Sequence, residues 1–180
     1  MTQVLVTGGA GYIGSHTVLS LLDAGKKVVV LDNFSNSSPE SLKRVSELTG
    51  KSPTVIDGDI TDRGTVRKIF TEYSDISSVI HFAALKAVGE STEYPLKYYH
   101  NNVLGSVLLL DEMQKAGVKK LVFSSSCTVY GEPKDVPISE KFPVGSVSSP
   151  YGRTKYMMEE IIDDFSNADS DFRCGILRYF

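Results

Sequence analysis

Six short runs, Val4–Thr7, Val28–Asp32, Pro53–Asp57, Ser78–Phe82, Lys120–Ser124 and Phe172–Leu177, read as β-strands, and helical patterns separate them. Several are apolar at successive positions (VLV, VVVL, LVF), as strands buried on both faces must be. The helical candidates are Ile13–Ala24, Pro39–Thr49, Asp62–Tyr73, Pro95–Ala116 and Tyr151–Asn167. Gly25 and Gly117 stand where helix C-caps belong, and Asp62 and Ser149-Pro150 stand where helices begin. Strands of this kind joined by helical crossovers predict an α/β fold with a doubly wound parallel sheet of six strands. At 180 residues the chain suits one such domain without disulfides or a metal.

The connection after the first strand narrows this further. In VTGGAGYIGSHTV, Gly8, Gly11 and Gly14 form G-x-x-G-x-x-G between a strand and a helix. Glycine there allows the tight turn, the approach of a diphosphate to the backbone, and close helix–strand packing. The helix N-terminus adds free N–H groups and a positive dipole end. Alone, the triplet also fits a mere tight turn. Asp32, 18 positions after Gly14 at the end of the second strand, is placed to bind an adenosine ribose diol. No arginine or lysine lies in Asp32-Asn33-Phe34-Ser35-Asn36-Ser37, which favours NAD over NADP in a Rossmann-like fold. Asp59-Ile60 reads either as an adenine contact or as a helix N-cap signal ahead of Asp62. The small residues of Phe82-Ala83-Ala84 would let a cofactor lie against the fourth strand's end.

Tyr151 and Lys155 form Y-x-x-x-K at the start of a predicted helix, one turn apart on one face. As a bare pattern this is a solvated helix face. Following the glycine loop, Asp32 and Ser124-Ser125-Ser126, it predicts a base tuned by a neighbouring ammonium together with an oxidised nicotinamide, whose ribose Lys155 could also bind, because all these strand ends border one crevice. The stretch Ser125–Ser149 exceeds a plain connection and reads as a functional or substrate-covering loop.

TGGAGYIGSH, HFAALKAVGES, YYHNN, FSSSCTVYG, SPYGRTK and LRYF, in that order, resemble the motifs of the extended short-chain dehydrogenase/reductases that epimerise nucleotide sugars. The resemblance runs from Thr7 to Phe180. It implies an isomerase that interconverts UDP-glucose and UDP-galactose by transient C4 oxidation with tightly bound NAD. By position it implies Ser126, Tyr151 and Lys155 as catalytic residues. NAD contacts are implied for Tyr12, Ile13, Asp32–Ser37, Asp59, Ile60, Phe82, Ala83, Ala84, Leu85, Lys86, Asn101, Ser126, Tyr151, Lys155 and Phe180, and substrate contacts for Lys86, Ser126, Tyr151 and Tyr179. Sugar 4,6-dehydratases carry an Asp-Glu pair where this chain has Cys127 and Thr128, so dehydration is disfavoured. Cys127 stands where an alanine is expected and reads as a small buried substitute. An epimerase of another UDP-sugar, or a non-catalytic NAD-binding fragment, stays open as an alternative.

A net charge of −3 without a basic run excludes nucleic acid and membrane surfaces as expected partners. Cys127 and Cys174 make no metal-ligand or disulfide pattern, and His16, His81 and His100 are scattered singly. Met1-Thr2-Gln3 leads straight into a strand with no charged n-region, which predicts a cytoplasmic protein. Ile176–Phe180 stops at a strand's carboxyl edge, which predicts a truncated chain lacking a C-terminal substrate region. The resemblance further implies a homodimer formed through Pro95–Ala116 and Tyr151–Asn167.

Overall fold

The computed structural model describes residues 2–133 and 135–180. Strands β1 (Gln3–Thr7), β2 (Lys27–Asp32), β3 (Thr54–Asp57), β4 (Ile76–His81), β5 (Lys120–Ser126) and β6 (Arg173–Tyr179) form one sheet in the order β3-β2-β1-β4-β5-β6. Every pairing is parallel. The chain winds outward from β1 in one direction and then restarts at β4 in the other, opening a crevice where the direction switches.

Alternate side chains on the inner strands feed two cores. Val4, Val6, Val28 and Val30 pack with Val18 and Leu22 of α1 (Tyr12–Asp23) and Leu42 and Val45 of α2 (Pro39–Thr49). Leu5, Val29, Leu31, Val79 and Phe123 face the other way, against α3 (Arg63–Glu72), α6 (Gly105–Lys115) and α7 (Pro150–Ala168). That two-sided burial is what the unbroken apolar runs encode.

Helix ends follow local chemistry. Asp62 and Ser149 cap α3 and α7 by accepting from the N–H groups of Gly64 and Gly152. Gly25 and Gly117 follow α1 and α6 with φ of 73° and 71°, the left-handed backbone that glycine adopts freely. The candidate helix Pro95–Ala116 is more complex than its periodicity suggests. It runs as α5 (Pro95–Tyr98), a π-helical turn (Tyr99–Leu104) and α6, with right-handed helical backbone at each junction. A six-residue helix, α4 (Val88–Glu93), precedes it and packs on α7.

Candidate active site

The crevice at the β1/β4 switch point gathers most of the residues singled out by sequence. Gly8, Gly11, Tyr12, Ile13 and Gly14 line it from the β1–α1 turn, and Asp32, Asn33, Ser35, Asn36 and Ser37 line it from the end of β2. Ile60, Phe82–Lys86, Asn101, Ser126, Tyr151, Lys155 and Tyr179 complete the wall. Leu31, Gly58, Ser124 and Ser125 also line it and were not singled out individually as contacts. Phe34, Asp59 and Phe180 lie outside this lining. Phe34, at φ 54°, packs against the α1–α2 core. Asp59 is tied to the crevice wall by Asn33, whose amide donates to it at 2.8 Å. Burial pushes the Asp59 carboxyl up, but hydrogen bonds from Thr61 and Asn33 outweigh it and hold the group below its usual range. Asp62, not Asp59, is the helix cap.

The three glycines divide their work by position. A Cβ on Gly8 would sit 2.6 Å from the Ala83 nitrogen, and one on Gly14 would sit 2.2 Å from the Gly8 carbonyl oxygen. Both are demanded by the chain's own packing. Gly11 is different: its Cβ would meet nothing closer than 3.4 Å, and its φ of −68° suits any residue. Gly11 opens α1, whose N-terminus has no side-chain cap and no acidic residue in its first turn. Free N–H groups and the positive helix end therefore face the crevice without an internal anion. Asp32, buried at the next strand, accepts from the Ala10 N–H at 2.9 Å, the Phe34 N–H at 3.0 Å and the Ser37 hydroxyl at 2.8 Å. It thereby ties the glycine loop to the β2 loop.

On the opposite wall, Ser126 ends β5, and α7 brings in Tyr151 and Lys155, all three buried. Lys155 donates to the Ser124 carbonyl at 2.7 Å and lies 4.9 Å above the Phe123 ring. Burial pulls its pKa down to about 8. The ammonium alone does not lower the pKa of Tyr151: burial raises the phenol, opposed by the Ser126 hydroxyl. Lys155 points instead at the β5 backbone. Cys127 is half-buried rather than buried, at the start of a 3-10 turn (Cys127–Tyr130).

A buried polar frame missed by sequence supports this wall. Asn102, in the π turn, accepts from the Leu85 N–H and donates to both the Leu85 carbonyl and the Thr154 hydroxyl. His81 bridges the Thr7 and Ser106 hydroxyls at 2.6 and 2.8 Å. Ser106 donates its proton to the Asn102 carbonyl at 2.5 Å, so it accepts from His81 Nε2–H, and His81 Nδ1 accepts from Thr7. Burial, reinforced by the Lys155 charge, drives the His81 pKa down to about 3. Glu159, one turn beyond Lys155, receives a two-pronged bond from Arg178 at 3.0 and 2.6 Å and a further bond from the Ser125 hydroxyl. Polar residues within helical patterns read as solvent-facing, so Asn102 and Glu159 carried no signal beyond the YYHNN match.

A parallel sheet in this order, with a glycine turn and a buried Ser-Tyr-Lys group facing across its switch point, places the chain among the Rossmann-like folds. More narrowly, residues 4–180 match the model of the NAD dependent epimerase/dehydratase family, and the chain belongs to that family. It is 59% identical over 177 residues to the UDP-glucose 4-epimerase of Haemophilus influenzae, covering 98% of this chain and 52% of that protein. The UDP-glucose 4-epimerase of Bifidobacterium longum, solved with NAD+ and UDP, superposes with a TM-score of 0.97 at 49% identity, covering 99% of this chain and 53% of that one. The UDP-Glc/GlcNAc 4-epimerase of Campylobacter jejuni gives a TM-score of 0.94 at 37% identity, covering 100% and 54%. The chain spans about half the length of the curated relatives it matches.

Proposed function

We propose that this chain is the NAD-binding domain, bearing the catalytic residues, of an epimerase that interconverts UDP-glucose and UDP-galactose, with the substrate-binding region outside these 180 residues. The observation that carries the reading is the convergence of Ser126, Tyr151 and Lys155 on the crevice that the glycine turn opens. The similarity to UDP-glucose 4-epimerases over practically the whole chain supports it.

The residues fit the dinucleotide. Gly11 is open where internal packing does not require glycine, beside an uncapped helix N-terminus suited to a diphosphate. Asp32 lines the crevice as a carboxylate for the adenosine ribose, and no arginine or lysine lies between Asp32 and Ser37 to receive a 2′-phosphate. Lys155, with one donor used by Ser124, keeps others for the second ribose. NAD bound there would supply the capacity to accept and return a hydride at the sugar's C4. Tyr151 takes the proton of the C4 hydroxyl and later returns it, while Ser126 orients the sugar's 4-oxygen. Lys86 and Tyr179 line the same mouth and are the further substrate contacts.

Leu104 at the end of the π turn, Val107 on α6 and Met157 on α7 are exposed apolar residues on adjoining helical segments. They support a homodimer through these helices. No helix of the described residues is long and apolar enough to cross a membrane, in keeping with a cytoplasmic location.

Likeness to the Campylobacter jejuni UDP-Glc/GlcNAc enzyme favours a second reading, in which N-acetylated UDP-hexoses are also substrates. A coupled assay of the complete protein with both sugar pairs separates the two. Tyr151→Phe is expected to abolish epimerisation while NAD binding persists; turnover retained in Y151F overturns the catalytic reading.

A further inference from the structure

Lys155 and Glu159 are spaced to pair and do not. They stand four residues apart on the buried face of α7, the separation at which opposite charges meet along a helix. Both reach the same short piece of β5: Lys155 binds the Ser124 carbonyl and Glu159 the hydroxyl of Ser125. A buried ammonium beside a buried carboxylate gains strongly by pairing, so something must hold them apart. That something is Arg178. Its fork occupies both carboxylate oxygens of Glu159, and its third arm donates to the Tyr130 hydroxyl at 2.9 Å. The guanidinium lies 4.9 Å from the centre of the Tyr130 ring, and Arg178 is the register partner of Ser125 on the neighbouring strand.

We propose that Arg178 sequesters Glu159 from Lys155, so that the lysine stays without a carboxylate partner and its free donors remain directed at the crevice. This rests on the reading of Lys155 as a cofactor-binding residue. Ser124 and Phe123 meet it from β5, Tyr151 and Glu159 share its helix, and His81 on β4 lies beyond the Phe123 ring. With Glu159 held by Arg178, burial alone shifts the amine. Arg178 and Glu159 act through Lys155 and are positioning residues.

Competitive acetylation of Lys155 across pH, read by peptide mass, tests this in the complete protein without recourse to activity. The midpoint is expected near the value of about 8 set by burial. In Arg178→Gln the released carboxylate pairs with the lysine, and the midpoint is expected to rise by about one to two pH units, with NAD affinity down roughly tenfold. The double variant E159Q/R178Q leaves no carboxylate to pair and is expected to return both quantities towards wild type. A purely structural clamp predicts the opposite order, with the double variant no better than R178Q. An unmoved midpoint in R178Q, or no recovery in the double variant, overturns the proposal. If R178Q does not fold, Arg178→Lys carries the test: losing the fork frees one carboxylate oxygen, and a midpoint that does not rise overturns the proposal equally. Lys155→Met separates the underlying reading, because NAD affinity unchanged in K155M refutes the cofactor role while leaving the acetylation result intact.

Discussion

Asn102 holds both backbone groups of Leu85, accepting from its N–H at 2.8 Å and donating to its carbonyl at 2.9 Å. One buried side chain therefore plays the part of a neighbouring strand for the loop after β4, and it hands its second amide hydrogen to Thr154 on α7 at 3.2 Å. Asn102→Asp keeps the acceptor but turns an oxygen towards the Leu85 carbonyl. The expected cost is about 2–3 kcal/mol of stability, with NAD affinity falling more than tenfold. Urea unfolding and NAD titration of the same preparations check both.

Gly11 and Gly14 should respond to alanine in opposite ways. Gly14→Ala drives a Cβ against the Gly8 carbonyl oxygen and is expected to cost about 2–3 kcal/mol or more. Gly11→Ala has room and an ordinary backbone angle, so its stability should change by less than about 1 kcal/mol. Its NAD affinity should nonetheless drop by about tenfold or more, because the methyl occupies the path of the diphosphate. Equal loss of stability in the two variants would refute the division of roles.

The buried His81 makes the fold sensitive to acid. Its folded-state pKa of about 3 lies below the ordinary 6.5. The neutral ring's contribution is therefore complete above pH 6.5 and is lost progressively as pH falls towards 3. In His81→Gln this share of the dependence disappears. Urea midpoints at pH 8 and pH 5 should lie closer together in H81Q than in the wild type.

Lys155 is expected to trade stability for function. Burial lowers its pKa to about 8, so at neutral pH the fold holds a charge in a site that disfavours it. Lys155→Met should raise the melting temperature, consistent with a gain of a few kcal/mol at most. The same substitution should abolish turnover. Calorimetry of K155M at pH 7 checks the first half and a coupled assay the second.

Strands β1 and β2 were legible because burial on both faces leaves runs such as Val28–Leu31 with no polar position. Caps at Asp62 and Ser149 were legible because their chemistry is local. The π turn was not: widening a helix by one residue per turn leaves apolar spacing nearly unchanged over six positions. Short α4 was missed for a related reason, since VGESTE offers one apolar residue and no periodicity. Ser126, Tyr151 and Lys155 could be placed on one crevice from strand ends and helix spacing. The groups that hold them, Asn102, Glu159 and Arg178, could not, because their partners lie on other elements far away in the chain.

The glycine turn has a consequence for how the molecule comes apart. Gly8 directly follows the first strand, yet its nearest neighbour across the crevice is Ala83, just past the fourth. Tyr151 and Lys155 arrive later still, on α7. A molecule seated there fastens the beginning, middle and end of the chain together, as a removable cross-link would. Occupancy and global unfolding then become a single equilibrium, and the melting temperature of the domain serves as a gauge of ligand concentration.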